Sequence, residues 1–315
     1  RGRNEEMVGN VLKNMRRESF IVSTKIPGNK YNTKSGEWEL KTDAEEFVEK
    51  FETSLERLQM DYVDILYFHA RNNKQEALEP DLLEALVKLK AQGKTRFIGV
   101  STHRNEAEVI QAAIDSKEYD IVLTAYNFMQ EENQSIGKAI EAASKAGLGV
   151  IAMKTQAGVY WDKDVKENKI NMKAALKWVL QNPHVHTTIP GFATFDQLNE
   201  DFEIMEDLSL STDEIKDLKL GEDMGWLGLY CNQCGNCDGQ CNNNVDIPTL
   251  MRSYMYAFGY KNLLQAKDTL VNTGLKTLPC NDCGECRVNC KVGFNIKEKL
   301  QRVYEINNIH DRFLI

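Results

Sequence analysis

The chain has 315 residues, room for one large domain and a small one, and its 42% hydrophobic and 27% charged residues are the balance of an ordinary globular protein. The formal net charge of −8 comes without any block of basic residues, so the positive stripe that a nucleic-acid partner demands is missing. The longest apolar run, around Val150 to Met153, is strand-sized and far short of the roughly 18 residues of a membrane span.

The sequence starts at Arg1-Gly2-Arg3-Asn4 and enters an amphipathic helix from about Glu5, with Val8, Val11, Leu12 and Met15 on its apolar face. A start of this kind reads as that of a fragment, preceded by further chain. Short apolar strands then alternate with amphipathic helices. Phe20 to Thr24 reads as a strand, followed by a helix from Asp43 to Arg57 that opens with the capping box Thr42…Glu45. Next come strand Val63 to Phe68 and helix Pro80 to Lys90, stopped by a left-handed cap at Gly93. The pattern continues with strand Phe97 to Val100, helix Asn105 to Ile114, strand Ile121 to Ala125 and helix Gln134 to Lys145. Strand Leu148 to Met153 leads to helix Met172 to Leu180, and strand Val185 to Ile189 to helix Phe195 to Met205.

Apolar strands each followed by a helix make a parallel sheet buried on both faces. The count is six βα units, where a closed (β/α)8 barrel needs eight and six leave two open edges. A doubly wound sheet tolerates six, but its usual Gly-rich phosphate turn is absent from Thr24-Lys25-Ile26-Pro27-Gly28. The sequence thus predicts an α/β fold, a TIM barrel over residues 1–220 that lacks its first two βα units. Beyond Leu220 the composition turns to Cys, Asn and Gly, with helices from Pro248 to Tyr260 and Asn262 to Val271, which marks residues 221–315 as a small, mainly helical second domain with a C-terminal helix.

That domain holds all eight cysteines. Cys231, Cys234, Cys237 and Cys241 have the spacing C-x2-C-x2-C-x3-C, and Cys280, Cys283, Cys286 and Cys290 repeat it at a constant offset of 49 residues. Asn232 matches Asn281, Gly235 matches Gly284, and Ile247 matches Ile296, so one unit occurs twice. Three closely spaced thiolates wrap one face of an iron–sulfur cubane, and in two-cluster ferredoxins the fourth cysteine of each run ligates the other cluster. The expected sets are Cys231, Cys234, Cys237 and Cys290 for one 4Fe–4S cluster and Cys280, Cys283, Cys286 and Cys241 for the other. Two readings compete. Zinc sites pair two C-x2-C hairpins across a longer loop, and disulfides suit secreted chains, not one with a long cysteine-free domain. A reducing cytoplasm fits the clusters better. Asn242 and Lys291 stand where ferredoxins often have proline after the fourth cysteine.

In the barrel, Lys25 and His69 close the first two strands, where barrel enzymes keep catalytic groups, although either residue can also be structural there. The ordered set of Asn4-Glu5 with Gly9, Ser23-Thr24-Lys25, Asp61 to His69, Gly93-Lys94, Ile98-Gly99-Val100-Ser101, Tyr126-Asn127, Val150 to Lys154 and Ile189-Pro190-Gly191 resembles the aldo-keto reductase family. The resemblance is to the branch with a C-terminal 4Fe–4S ferredoxin domain, and it covers essentially the whole chain.

The resemblance implies a Tyr–Lys–His–Asp tetrad that protonates a substrate carbonyl while a nicotinamide delivers hydride. Lys25 matches the lysine, whose ammonium eases proton donation by the phenol, and His69 the histidine that orients the carbonyl. The tetrad's aspartate and tyrosine are expected just before the Asn-Glu element, beyond the given sequence. Ser101 and Thr102 match the positions near the carboxamide, Thr102 replacing a frequent asparagine. Met153 stands where an aromatic often stacks on the nicotinamide, with Lys154 next to it; Met153 can also be plain core. Gly191 and Gln197 replace the cations common in NADPH-preferring members, and Glu200 with Asp201 resembles the pair near the adenine. NADP or NAD is therefore the expected nicotinamide, alongside two 4Fe–4S clusters. The loop Val159-Tyr160-Trp161 is a candidate substrate cover and His103 a candidate second mouth histidine, whereas His184, His186 and His310 read as scattered. The expected function is an oxidoreductase that joins carbonyl reduction or alcohol oxidation to a cluster module serving a redox partner protein, with no nucleic acid or membrane involved. Two alternatives are a non-catalytic electron-transfer protein on a relic barrel and a zinc-stapled binding module.

Overall fold

The computed structural model describes residues 2–32, 37–40, 42–156, 171–192, 194–223, 231, 234–259, 262–275, 277–291, 293–310 and 314. Helix α1 (Arg3–Leu12) lays Val8 and Leu12 on the core. Val11 and Met15, expected on that face, are exposed. The contact centres on Gly9, where a Cβ would lie 2.5 Å from the Leu58 carbonyl oxygen, and this close approach turns the neighbouring stripe to solvent.

Strand β1 (Ser23–Pro27) starts three residues later than the apolar run suggests, because pairing with the next parallel strand runs from Ser23 opposite Ile65 to Pro27 opposite His69. An antiparallel hairpin of β2 (Asn29–Asn32) and β3 (Glu37–Leu40), unforeseen in the sequence, follows. Helix α2 (Ala44–Leu58) is capped by Asp43, whose carboxylate accepts from the Glu46 amide at 2.8 Å, and not by the expected Thr42. A charged acceptor makes the stronger cap, and Thr42 instead accepts from Lys50 Nζ at 3.0 Å.

Then come β4 (Val63–His69), the short α3 (Lys74–Ala77), α4 (Pro80–Ala91), β5 (Thr95–Thr102), α5 (Glu106–Ser116), β6 (Ile121–Ala125), α6 (Asn133–Lys145), β7 (Gly149–Met153), α7 (Met172–Leu180), β8 (Thr187–Thr188), α8 (Phe195–Glu203) and α9 (Thr212–Asp223). Gly93 has φ 75°, as a left-handed cap requires. Among the described residues β8 is two residues long where five were expected; it pairs only with β7, and one edge partner holds little strand.

Six strands run parallel in the order β1-β4-β5-β6-β7-β8, an α/β sheet of the (β/α)8-barrel type. Strand alternation divides the core in two. Val22, Ile26, Leu66, Phe68, Val100 and Val150 face the helices. Ile65, Tyr67 and Leu123, with Ile151 and Met153 against them, fill the barrel interior. Lys25, His69 and Ser101 share the inward parity. A separate core, including Ile247, Leu250, Met251, Leu270, Leu300 and Val303, unites α10 (Ile247–Tyr254), α11 (Leu263–Asn272) and α12 (Ile296–Tyr304). A π-helical turn, Met255–Gly259, prolongs α10 where a regular helix to Tyr260 was expected. Among the described residues no helix is long and apolar enough to cross a membrane.

Candidate active site and cysteine module

Adjacent parallel strands bring their C-terminal ends to one rim. Lys25 faces Tyr67 and Pro27 faces His69 in register, so Lys25 and His69 occupy successive inward steps of neighbouring strands. Burial pushes the Lys25 ammonium pKa down. Burial, then the positive charges of Lys25, Arg252, Arg71 and Lys154, pushes His69 down to about 3, so the imidazole is neutral.

The end of β4 is locked from both sides. Ala70, at φ 57°, is held by its amide, which donates to Ser101 Oγ at 2.9 Å. The Arg71 amide donates to the Ser101 carbonyl at 2.8 Å, and Arg71 Nε and Nη2 donate back to the His69 carbonyl at 3.0 and 2.8 Å. Arg71 is 1% exposed, and its Nη1 has no hydrogen-bond partner among the described residues. Lys154, just past β7, is also left-handed at φ 55°. Non-glycine residues held there at two strand ends cost local strain, which the surrounding bonds must offset.

The remaining expected residues divide. Thr102 is buried and its hydroxyl is used inside its own loop, donating to the Arg104 carbonyl at 2.7 Å and accepting from the Arg104 amide at 3.3 Å. Met153 packs against the barrel-interior cluster. His103 is brought to the mouth, with Nδ1 buried and unpaired among the described residues; burial and the charges of Lys154, His69, Arg104 and Arg252 lower its pKa. Asp201 accepts from Gln156 Nε2 at 3.0 Å, while its Oδ2 is buried without a partner among the described residues, and burial pushes its pKa up to about 6. Glu200 and Gln197 lie on the same helix, half-buried, and Gly191 is exposed in the loop before it. Val159-Tyr160-Trp161 lie outside the described residues. His184 and His186 serve the scaffold, His186 Nδ1 accepting the Val150 amide at 2.8 Å. An open depression lined by Tyr119, Asp120, Gly147 and Leu148 lies at the opposite strand ends, away from these groups.

Arg71, Arg104 and Arg252 are mouth cations that the sequence reading passed over. Arg71 could have been found two residues beyond His69, and Arg104 three beyond Ser101. Arg252 comes from α10, and no strand-end pattern points to it.

None of the eight cysteines is paired in a disulfide. Burial, then the charges of Cys231, Asp238 and Cys234, pushes Cys237 up to about 12. Burial, then Cys241, Cys283 and Cys286, pushes Cys280 up to about 11, against the pull of Lys297. Cys241 thus lies among the sulfurs of the second run. Asn243 Nδ2 donates to Cys283 Sγ at 3.3 Å. Gly235, Gly239 and Gly293, at φ 76°, 71° and 78°, let these loops turn sharply. Among the described residues no three His, Cys, Asp or Glu side chains converge closely enough for a single metal ion. A cubane asks for something else, since each thiolate binds a different iron corner and the four sulfurs stand farther apart. An all-thiol donor set has the chemistry that such a cluster takes.

Comparison with known proteins completes the picture. The Aldo/keto reductase family description matches residues 1–174, ending before the cysteines. An uncharacterized oxidoreductase of Bacillus subtilis is 24% identical over 245 residues, 70% of this chain and 79% of its own length. The L-galactose dehydrogenase of Arabidopsis thaliana is 27% identical over 239 residues, 67% and 72% of the two chains. Among solved structures, an aldo-keto reductase from Bacillus halodurans in holo form matches with TM-score 0.55 at 22% identity, over 69% of this chain and 78% of that one. An aldo/keto reductase from Klebsiella pneumoniae in complex with NADP and acetate matches with TM-score 0.52 at 21% identity, over 69% and 75%. These two likenesses speak for the fold alone.

Proposed function

The chain belongs to the aldo/keto reductase family, and from that premise we propose an oxidoreductase with two redox sites: a barrel mouth, in residues 1–220, for a nicotinamide cofactor and a carbonyl or alcohol substrate, and a module, in residues 221–315, for two 4Fe–4S clusters. The observation that carries the first site is the pairing of Lys25 and His69 on the inward face of adjacent strand ends. The second rests on the eight-thiol set, with Cys241 grouped beside Cys280, Cys283 and Cys286.

A bound NADP or NAD supplies or accepts hydride. The chain's own part is to bind and orient. Neutral His69 donates one N–H to the substrate oxygen, and Lys25 favours negative charge gathering there. The unpaired Asp201 Oδ2 suits a hydroxyl or amine of the nucleoside. Cys231, Cys234, Cys237 and Cys290 would hold one cluster and Cys241, Cys280, Cys283 and Cys286 the other, to relay single electrons to a partner protein.

Fluorescence titration of the anaerobically purified chain with NADPH and NADH tests the barrel reading: saturable binding supports it, and no binding of either rejects it. A second reading, an electron-transfer protein on a relic barrel, is favoured by the Thr102 hydroxyl being used within its loop. It predicts an iron-loaded protein that binds neither nucleotide.

A further inference from the structure

We propose that Arg104 is the positioning residue that seats the first cysteine loop on the barrel mouth, making the cluster of Cys231, Cys234, Cys237 and Cys290 proximal to the barrel and that of Cys241, Cys280, Cys283 and Cys286 distal. This rests on the two-cluster reading above.

Arg104 belongs to the barrel by its backbone and to the module by its side chain. Its carbonyl and amide are the two partners of the Thr102 hydroxyl at the end of β5. Its Nη1 pairs with Asp238 Oδ2 at 3.0 Å, both side chains being 19% exposed. Asp238 directly follows Cys237. Its guanidinium lies so close to Gly235, between Cys234 and Cys237, that a Cβ there would overlap it. Gly235 therefore answers two demands, a left-handed φ and room for the cation. A partly buried, salt-bridged guanidinium holds a loop far better than an exposed ion pair does.

The ordering follows from where the neighbours of each ligand reach. Beside Cys290, Lys291 pairs with Glu131 of the loop after β6 at 3.1 Å. The segment carrying Cys290 is tied to the first loop, since the Asn289 amide donates to Gln240 Oε1 at 2.7 Å and Asn236 Nδ2 donates to the Asn289 carbonyl at 2.9 Å. These two barrel contacts flank ligands of the first set, while a third, Arg3 Nη1 to Asp268 Oδ2 at 2.6 Å, joins α1 to α11 and touches neither cysteine run. Around the second set the bonds among the described residues stay inside the module: Asn243 to Cys283, Lys297 Nζ to the Cys283 carbonyl at 2.6 Å, and Gln301 to Asn281 at 2.9 Å.

The pair also sets charge beside the proximal cluster. Without the guanidinium, Asp238 is an uncompensated anion, and nearby negative charge disfavours adding an electron. The experiment is a redox titration followed by electron paramagnetic resonance on the full iron-loaded chain and its Arg104→Gln, Asp238→Asn, double and Asn243→Ala variants. One of the two midpoint potentials should fall in Arg104→Gln, rise in Asp238→Asn and return close to the starting value in the double variant. The other should stay put in those three and fall in Asn243→Ala, which loses a hydrogen bond to Cys283. Iron-loaded Arg104→Gln protein with both potentials unmoved, or both moved equally, overturns the placement of Arg104 and leaves the clusters standing. A parent chain without iron and sulfide overturns the two-cluster reading and the inference with it.

Discussion

The Lys25 ammonium stands 5.7 Å from the centre of the Tyr67 ring, its register partner across β1 and β4. The ring in turn fills the space left by the missing side chain of Gly99, its partner on β5, where a Cβ would sit 2.7 Å from the ring carbons. Three strands thus fix the floor beneath the mouth, and burial raises the Tyr67 phenol pKa so that it stays protonated.

Gly99→Ala should destabilise the chain by about 1–3 kcal/mol through overpacking. The strain is with the ring, so Tyr67→Leu should cost less in the Gly99→Ala background than in the parent. Urea unfolding of the four proteins reads the coupling; strictly additive losses would show that the two residues do not meet.

His69 should remain neutral down to acid pH. Its folded pKa of about 3 lies below the roughly 6.5 of an unfolded histidine. Between those values the unfolded chain binds the extra proton, so the stability His69 contributes is full above about pH 6.5 and declines as pH falls toward 3. His69→Gln should flatten that part of the stability–pH curve. An imidazole proton resonance of His69 that moves between pH 5 and 8 would contradict this.

At the other end of the barrel, Asp64 accepts from the Val22 amide at 2.9 Å, Arg17 at 2.8 Å and Arg96 at 3.0 Å. Burial pushes its pKa up, but these three donors outweigh burial and hold the carboxyl below its usual range. Asp64→Ala should cost about 3 kcal/mol, since it strands the largely buried Arg17. The carboxylate's own contribution is present above the unfolded pKa of about 3.9 and is lost as pH falls through the lower folded value. Thermal unfolding at pH 7 that leaves the variant unchanged would refute the assignment.

Asp201→Ala should weaken nicotinamide dinucleotide binding by about 10–100-fold, the worth of one hydrogen bond to a charged acceptor. Glu200→Ala, at a half-buried position beside it, is the comparison. Equal affinities in Asp201→Ala and the parent would place the nucleoside elsewhere.

The central strands β4, β6 and β7 were legible because they are largely apolar on both faces, and Ile121–Ala125 and Met172–Leu180 lie where the periodicity puts them. Element ends shifted where an outside contact decided them: Asp43 over Thr42 for a cap, and pairing with β4 for the start at Ser23. The hairpin of β2 and β3 carries no strong periodic signal in Asn29 to Leu40. Lys25 and His69 were readable as polar residues closing apolar strands. Arg104 follows a strand end closely enough to be noticed, but its pairing with Asp238 was not readable, and Arg252 carries no strand-end signal, because both matter only where the cysteine module meets the barrel.

Iron and acid-labile sulfide analysis of the anaerobically purified chain, with a zinc determination on the same sample, tests the central claim most directly. Two 4Fe–4S clusters require about eight irons and about eight sulfides per chain, falling by about half in Cys280→Ala. About two zinc ions per chain without sulfide, or no metal at all, would contradict it.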